Sequence, residues 1–329
     1  MNRSSLSIVY NSSHTDLALE VREQLTYGRT GEIPGVAFSQ RQQGRIKITE
    51  VEVFTPEGAK AMGKAMGKYI TLEAPDLRSR DRTLAEEVSR VLTDELAKLT
   101  NLGPTSSVLV VGLGNWKATP DSLGPKVVSR LLVTRHLREY VPRELKGKLR
   151  SVSAMAPGVL GTTGIETKDI VEGVCMKLNP DLVLAVDALA ARRVDRMLTT
   201  IQLSNAGIHP GSGVGNRRVG LNLWTLGRPV IAIGVPTVVS AVTIALDSID
   251  ALLDYAEQSG DKPSFLEGLS EDQKRQLIDY VLQPLGTNLM VTPKEIDVYI
   301  EDLSFIIAGA INATLHPGIS QNTISTYIM

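Results

Sequence analysis

Cysteine is nearly absent from this 329-residue chain; Cys175 is the single one. No internal disulfide framework can form, and such usage fits a reducing compartment. Aromatic residues make up 4% of the chain, too few for a surface that stacks nucleic-acid bases. No basic excess exists either: 35 Lys and Arg face 36 Asp and Glu, for a net charge of −1. The electrostatic footprint of a general nucleic-acid binder is missing, so no direct nucleic-acid partner is expected. No run reaches the roughly 18 apolar residues of a membrane span. Residues 1–10 lack the apolar core of a signal peptide. A cytoplasmic protein without a membrane partner is expected. The four histidines, His14, His136, His209 and His316, are scattered and show no ligand spacing, so neither a metal nor a cofactor is expected. No Gly-x-Ser-x-Gly elbow marks a serine hydrolase.

What the chain does have is apolar residues, 43% of the total, arranged in alternating periods. Leu17, Val21 and Leu25 predict a short helix over 16–25. Residues 30–43, rich in Gly and Gln, read as loop. Residues 46–54 alternate as a strand whose phase slips at Glu50, which suits a bulge. Leu84, Val88, Val91, Leu92 and Leu96 form one helical stripe, ended by Gly103-Pro104. Val108-Leu109-Val110-Val111 then reads as a strand covered on both faces. A helix with Val127, Val128, Leu131 and Leu132 follows.

The rhythm repeats: a strand at 151–155, a helix over 170–178 closed by Pro180, and a buried strand at 182–186. Further strands are predicted at 199–203 and 230–235, then a helix over 241–255. A short helix capped by Ser270 lies in the polar stretch 256–285. Thr292-Pro293-Lys294-Glu295 reads as a capping box opening the last helix. The expectation is an α/β fold with a mostly parallel sheet flanked by helices. Residues 17–103 could form an N-terminal subdomain or extra layer.

In such sheets ligands gather beyond the carboxyl ends of the strands, where two aspartates are expected. Asp121 follows Thr119-Pro120, with Thr119 as cap, in the first turn of a helix whose N-terminus favours a carboxylate. Asp187 ends the apolar strand, where desolvation raises a carboxyl pKa. One ionised and one protonated carboxyl suits an acid–base hydrolase; a helix cap and a strand-end turn are the plainer readings of each. Backbone amides around Gly112-Leu113-Gly114-Asn115 are candidate oxyanion contacts, Gly114 and Asn115 among them. A dinucleotide site fails there, because Lys117 stands where the third glycine is needed. The loop from Gly207 to Arg218 could cradle an anionic group through His209, Arg217 and Arg218, or be a connector. Cys175, on an apolar helical stripe, reads as an inert core thiol.

Several long strings resemble the germination protease family of spore-forming bacteria. They are Val110-Val111-Gly112-Leu113-Gly114-Asn115-Trp116, Thr119-Pro120-Asp121-Ser122-Leu123-Gly124-Pro125, Ala156-Pro157-Gly158-Val159 and Val186-Asp187-Ala188-Leu189-Ala190-Ala191-Arg192, with further matches along nearly the whole chain. The resemblance implies an atypical aspartic endopeptidase that starts the breakdown of small acid-soluble spore proteins in the spore core during germination. Its two proposed catalytic aspartates match Asp121 and Asp187. It also implies a fold similar to hydrogenase-maturation endopeptidases (phosphorylase/hydrolase-like), a homotetramer, and a zymogen that trims itself. His14-Thr15-Asp16-Leu17-Ala18-Leu19-Glu20 resembles the trimming site, predicting cleavage between Asp16 and Leu17. A propeptide of residues 1–16 and a peptidase domain of 17–329 are then expected. Two other readings stay open: a metal-assisted maturation-type peptidase with the carboxylates as ligands, and a non-enzymatic anion- or nucleotide-binding module.

Overall fold

The computed structural model describes residues 15–27, 31–137, 149–212, 218–259, 271–282 and 289–318. In chain order it contains α1 (Ala18–Thr26), β1 (Val36–Gln43), β2 (Ile46–Val53), α2 (Pro56–Met62), β3 (Gly67–Glu73), α3 (Arg82–Thr100), β4 (Ser107–Gly112), α4 (Leu123–Val128) and β5 (Ser151–Met155). It continues with α5 (Leu160–Thr163), α6 (Thr167–Leu178), β6 (Leu182–Ala191), β7 (Thr200–Ser204), α7 (Leu223–Leu226), β8 (Val230–Ser240), α8 (Ala241–Ser259), α9 (Glu271–Leu282), β9 (Met290–Val291) and α10 (Ile296–Leu315).

The strands form one sheet in the order β1-β2-β3-β7-β8-β6-β4-β5, with β9 added to β8. Strands β5, β4, β6 and β8 run parallel, as the α/β expectation requires. Their sequences explain it: β4 and most of β6 are apolar and buried on both faces, which only helix-covered parallel strands allow. The pairs from β8 outward through β7, β3, β2 and β1 are antiparallel. Residues 36–73 thus extend the same sheet. Helix α10 packs on α3 and α4. It is long and apolar enough to cross a membrane, yet most of it is buried in the core; Ile300, Leu303, Ile307 and Ile311 carry its inward face. Each such side chain contributes roughly 1.5–3 kcal/mol by leaving water.

The structure departs from the sequence reading at several points. Residues 36–43 are a strand, not loop, and seven of the eight residues are exposed. A polar edge strand carries no hydrophobic alternation and is invisible to periodicity. Strand β2 has no bulge at Glu50; its pairing with both neighbours is continuous. The phase slip arises because both faces are covered. Ile46 and Ile48 enter the main core, while Val51 and Val53 enter a second cluster with Ala18, Val21, Met62 and Tyr69. The bulge lies instead in β6, between Leu189 and Ala190.

Helix α4 stops at Val128, short of Leu131 and Leu132. The Thr292 capping box does not form: the Thr292 hydroxyl donates to the Thr237 carbonyl at 2.9 Å, and α10 starts at Ile296 without a side-chain cap. Ser270, the expected cap of α9, lies outside the described residues.

Candidate active site

Strand β4 ends at Gly112, and the chain turns through Leu113 and Gly114. Gly114 adopts φ +110°, and a Cβ there would lie 2.0 Å from the Asp121 carbonyl oxygen, so only glycine fits. The Leu113 amide donates to the Val186 carbonyl at 2.8 Å, and the Asn115 amide to the Asp121 carbonyl at 2.9 Å. Residues 119–121 form a single 3-10 turn, closed by the Ser122 amide donating to the Thr119 carbonyl at 3.2 Å. Thr119 caps nothing by its side chain, so the expected helix first turn with its charge-stabilising dipole is not what holds Asp121. Gly124, at the start of α4, approaches so closely that a Cβ would meet Leu113 O at 2.3 Å and Val186 O at 2.5 Å. That contact seats the Asp121 turn beside β6.

Asp187 is not at the end of its strand, as the sequence implied. It is the sixth residue of a ten-residue β6, because Ala188-Leu189-Ala190-Ala191 goes on pairing with β8. Its side chain is 5% exposed, and Oδ1 accepts the Ala188 amide at 2.9 Å. Burial, then the charge of Asp121, then that of Asp16 push the Asp187 carboxyl well above the usual carboxylate range. Burial also raises Asp121, to about 6, partly offset by the Asn115 amide. The two aspartates therefore share one electrostatic environment, and a close pair titrates as a unit. Both line a cleft of about 490 Å³ together with Asp16, Gly158, Glu166 and His209.

Asp16 arrives from the N-terminal side and docks on the extension of β6. Its amide donates to the Ala190 carbonyl at 3.0 Å. Its carboxylate accepts the Ala190 amide at 2.9 Å and the Ser212 hydroxyl at 2.5 Å. Its carbonyl accepts from Lys64 Nζ at 2.9 Å and Gln202 Nε2 at 3.2 Å. Leu17 is fully buried in the main core. Four residues after Asp16, Glu20 is 1% exposed; it accepts the Arg192 amide at 2.7 Å, the Arg193 amide at 2.9 Å and the Thr15 hydroxyl. Buried Arg196 lies 3.6 Å from it and pairs with Glu23 and Glu73.

The sequence profile described as germination protease matches residues 13–266 and 257–328. The chain belongs to the germination protease family. The germination protease of Clostridium tetani is 48% identical over 96% of this chain and 99% of its own length. That of Caldanaerobacter subterraneus is 51% identical, covering 97% and 98%. That of Bacillus subtilis is 45% identical, covering 99% and 100%. Among solved structures, the NiFe-hydrogenase maturation protease HycI of Thermococcus kodakarensis matches at 17% identity and a TM-score of 0.31, over 63% of this chain and 92% of that one; at that score the fold rests on the strand order itself.

As a germination protease the chain is an endopeptidase, and its candidate residues divide by position. Asp121, Asp187, Asp16, Gly114, His209 and Arg218 all line one cleft. Asn115 is not among the residues that line it, and its amide is taken by the Asp121 carbonyl. Arg218 lies 3.6 Å from Glu166, and its amide donates to the Pro210 carbonyl at 3.0 Å. Arg217 lies outside the described residues, as do residues 1–14. Cys175 is buried, and burial raises its thiol pKa, which leaves it a poor nucleophile. Among the described residues no three His, Cys, Asp or Glu side chains are grouped to hold a metal. Sequence reasoning missed Lys64, Gln202 and Ser212. Lys64 sits in the α2–β3 connection and Gln202 in an antiparallel strand, and neither position carries a motif.

Proposed function

We propose that Asp121 and Asp187 activate water for peptide hydrolysis, and that the precursor uses them first on its own Asp16–Leu17 bond. The observation that carries this reading is the shared cleft: two carboxyls of raised pKa, with Asp16 beside them close enough to perturb Asp187. In the reaction Asp121, raised to about 6 and lacking the neighbouring-carboxylate contributions that act on Asp187, accepts a proton from water. Asp187, whose carboxyl burial pushes well above the usual range, donates one to the departing amine. No covalent enzyme intermediate is required. The trimmed chain, 17–329, then acts on protein substrates, which we take to be the small acid-soluble proteins of the spore core, and works as a homotetramer. Full-length similarity to germination proteases supports these assignments.

N-terminal sequencing of the purified precursor after incubation tests the reading. Wild type should yield a new terminus at Leu17. Asp121→Asn and Asp187→Asn should each slow trimming by ~10²-fold or more while the chain stays folded. Undiminished trimming in either variant removes that residue from the catalytic role. The metal-assisted reading predicts loss of trimming on adding a chelator; the dyad reading predicts none.

A further inference from the structure

Two side chains converge on the carbonyl oxygen of Asp16, Lys64 Nζ at 2.9 Å and Gln202 Nε2 at 3.2 Å. Gln202 does more than donate there. Its Oε1 accepts the Ala18 amide at 2.8 Å, so one buried carboxamide grips the peptide groups on both sides of Leu17. The Lys64 ammonium also reaches the Thr15 carbonyl at 3.3 Å. The Leu17 amide donates to the Thr15 hydroxyl at 3.1 Å. The Asp16–Leu17 peptide group is thus held by both its oxygen and its nitrogen.

Strand register relates this grip to the aspartates. Asp187 of β6 and Gln202 of β7 both pair with Gly234 of β8. Laterally paired residues point to the same face of a sheet, and neighbouring strands lie about 4.8 Å apart. Asp187 and Gln202 therefore occupy one row, about 10 Å apart, with a residue lacking a side chain between them. The space over Gly234 takes the Leu189 side chain, which a Cβ there would meet at 2.4 Å. Asp16 lines both the cleft that holds Asp121 and Asp187 and the neighbouring one that holds Lys64 and Gln202, with Leu189 shared between them.

We propose that Lys64 and Gln202 are catalytic residues that bind the Asp16 carbonyl oxygen as it becomes an oxyanion. The proposal deepens the dyad reading and rests on it. Water adds its oxygen to the Asp16 carbonyl carbon and gives one proton to the carboxylate of the pair. The carbonyl π electrons move onto the oxygen, where a lysine ammonium and a carboxamide N–H meet the new charge. Collapse restores the carbonyl, breaks the C–N bond, and sends the bonding pair to the Leu17 nitrogen, which takes a proton from the protonated carboxyl. The products are the Asp16 carboxyl terminus and the Leu17 amine. A fixed cation and a fixed dipole aimed at an oxygen that gains charge lower the barrier more than they tighten ground-state binding. The same pair would receive the carbonyl of each substrate peptide that later occupies the place of residues 15–17.

Self-trimming of the purified full-length chain tests this, read by intact mass and N-terminal sequence beside the thermal midpoint of each variant. Wild type should yield Leu17 as the new terminus, and Asp187→Asn should not. Lys64→Ala and Gln202→Leu should each be slower by ~10²-fold or more, with midpoints near that of wild type. Lys64→Arg should retain more rate than Lys64→Ala, and added methylammonium should restore part of the rate to Lys64→Ala, which a mere tether of the segment would not permit. Wild-type rates in Lys64→Ala and Gln202→Leu overturn the proposal and leave the dyad standing. A loss that neither arginine nor methylammonium recovers overturns it too. If Lys64→Ala does not fold, Lys64→Arg and Gln202→Leu decide, and wild-type trimming by Gln202→Leu overturns it. A wild-type cut elsewhere, or trimming by Asp187→Asn, sinks the dyad first and this proposal with it.

Discussion

Asp121 and Asp187 carry the same functional group, and their surroundings separate them. Asp187 lies within β6 and feels two neighbouring carboxylates; Asp121 sits in the 3-10 turn of residues 119–121, where burial is the main perturbation. Its folded pKa of about 6 stands above the ordinary 3.8. The sign of the stability effect follows: the folded state binds the proton more tightly than the unfolded chain does. Asp121 costs nothing below pH ~4 and destabilises progressively as pH rises through about 6. At one pKa unit per 1.36 kcal/mol, the loss by pH 8 is at most ~3 kcal/mol. Asp121→Asn should therefore melt above wild type at pH 8, with the gap closing by pH 4; thermal unfolding across that range checks it. The same ionisation shapes catalysis. Trimming should decline as pH falls below about 6, where the base is protonated, and a pH–rate profile with no inflection near there would contradict Asp121 as base.

Among the elements, α4 and the turn before it position the chemistry by close approach. Gly124 touches backbone atoms of both Leu113 and Val186, and backbone cannot move aside as a flexible side chain can. Gly124→Ala should push α4 off the sheet and destabilise the fold by ~1–3 kcal/mol, with trimming lost under conditions where the chain is still folded. Denaturant unfolding beside the trimming assay reads both effects. The parallel strands and α3, α6 and α10 were legible because burial imposes a period on their sequences. The lengths of β6 and α4 were not. The apolar residues after Asp187 are compatible with strand or turn, and only pairing with β8 decides. Ends set by neighbouring backbone carry no local signal.

In the whole molecule, the segment from Asp16 to Glu20 is part of the fold. Leu17, Ala18 and Leu19 are buried, and Glu20 binds the backbone at the end of β6. A cut at the proposed Asp16–Leu17 bond would therefore open the chain beside a fully buried side chain. Light scattering of precursor and trimmed chain should give a mass four times that of one chain in both; a single-chain mass in the trimmed form would contradict a working tetramer.

Local chemistry written in the chain determined the α/β rhythm, the inert thiol and the candidate pair Asp121 and Asp187, together with the Asp16–Leu17 bond that resembles a trimming site. Each of these rests on a period or on a contiguous string of residues. Tertiary structure alone decided that Asp16, Asp121 and Asp187 share a cleft, that both catalytic candidates have raised pKa values, and that Lys64 and Gln202 meet at one carbonyl oxygen. Those facts depend on distances between residues far apart along the chain, and the sheet order that sets such distances leaves no mark on any short stretch of sequence.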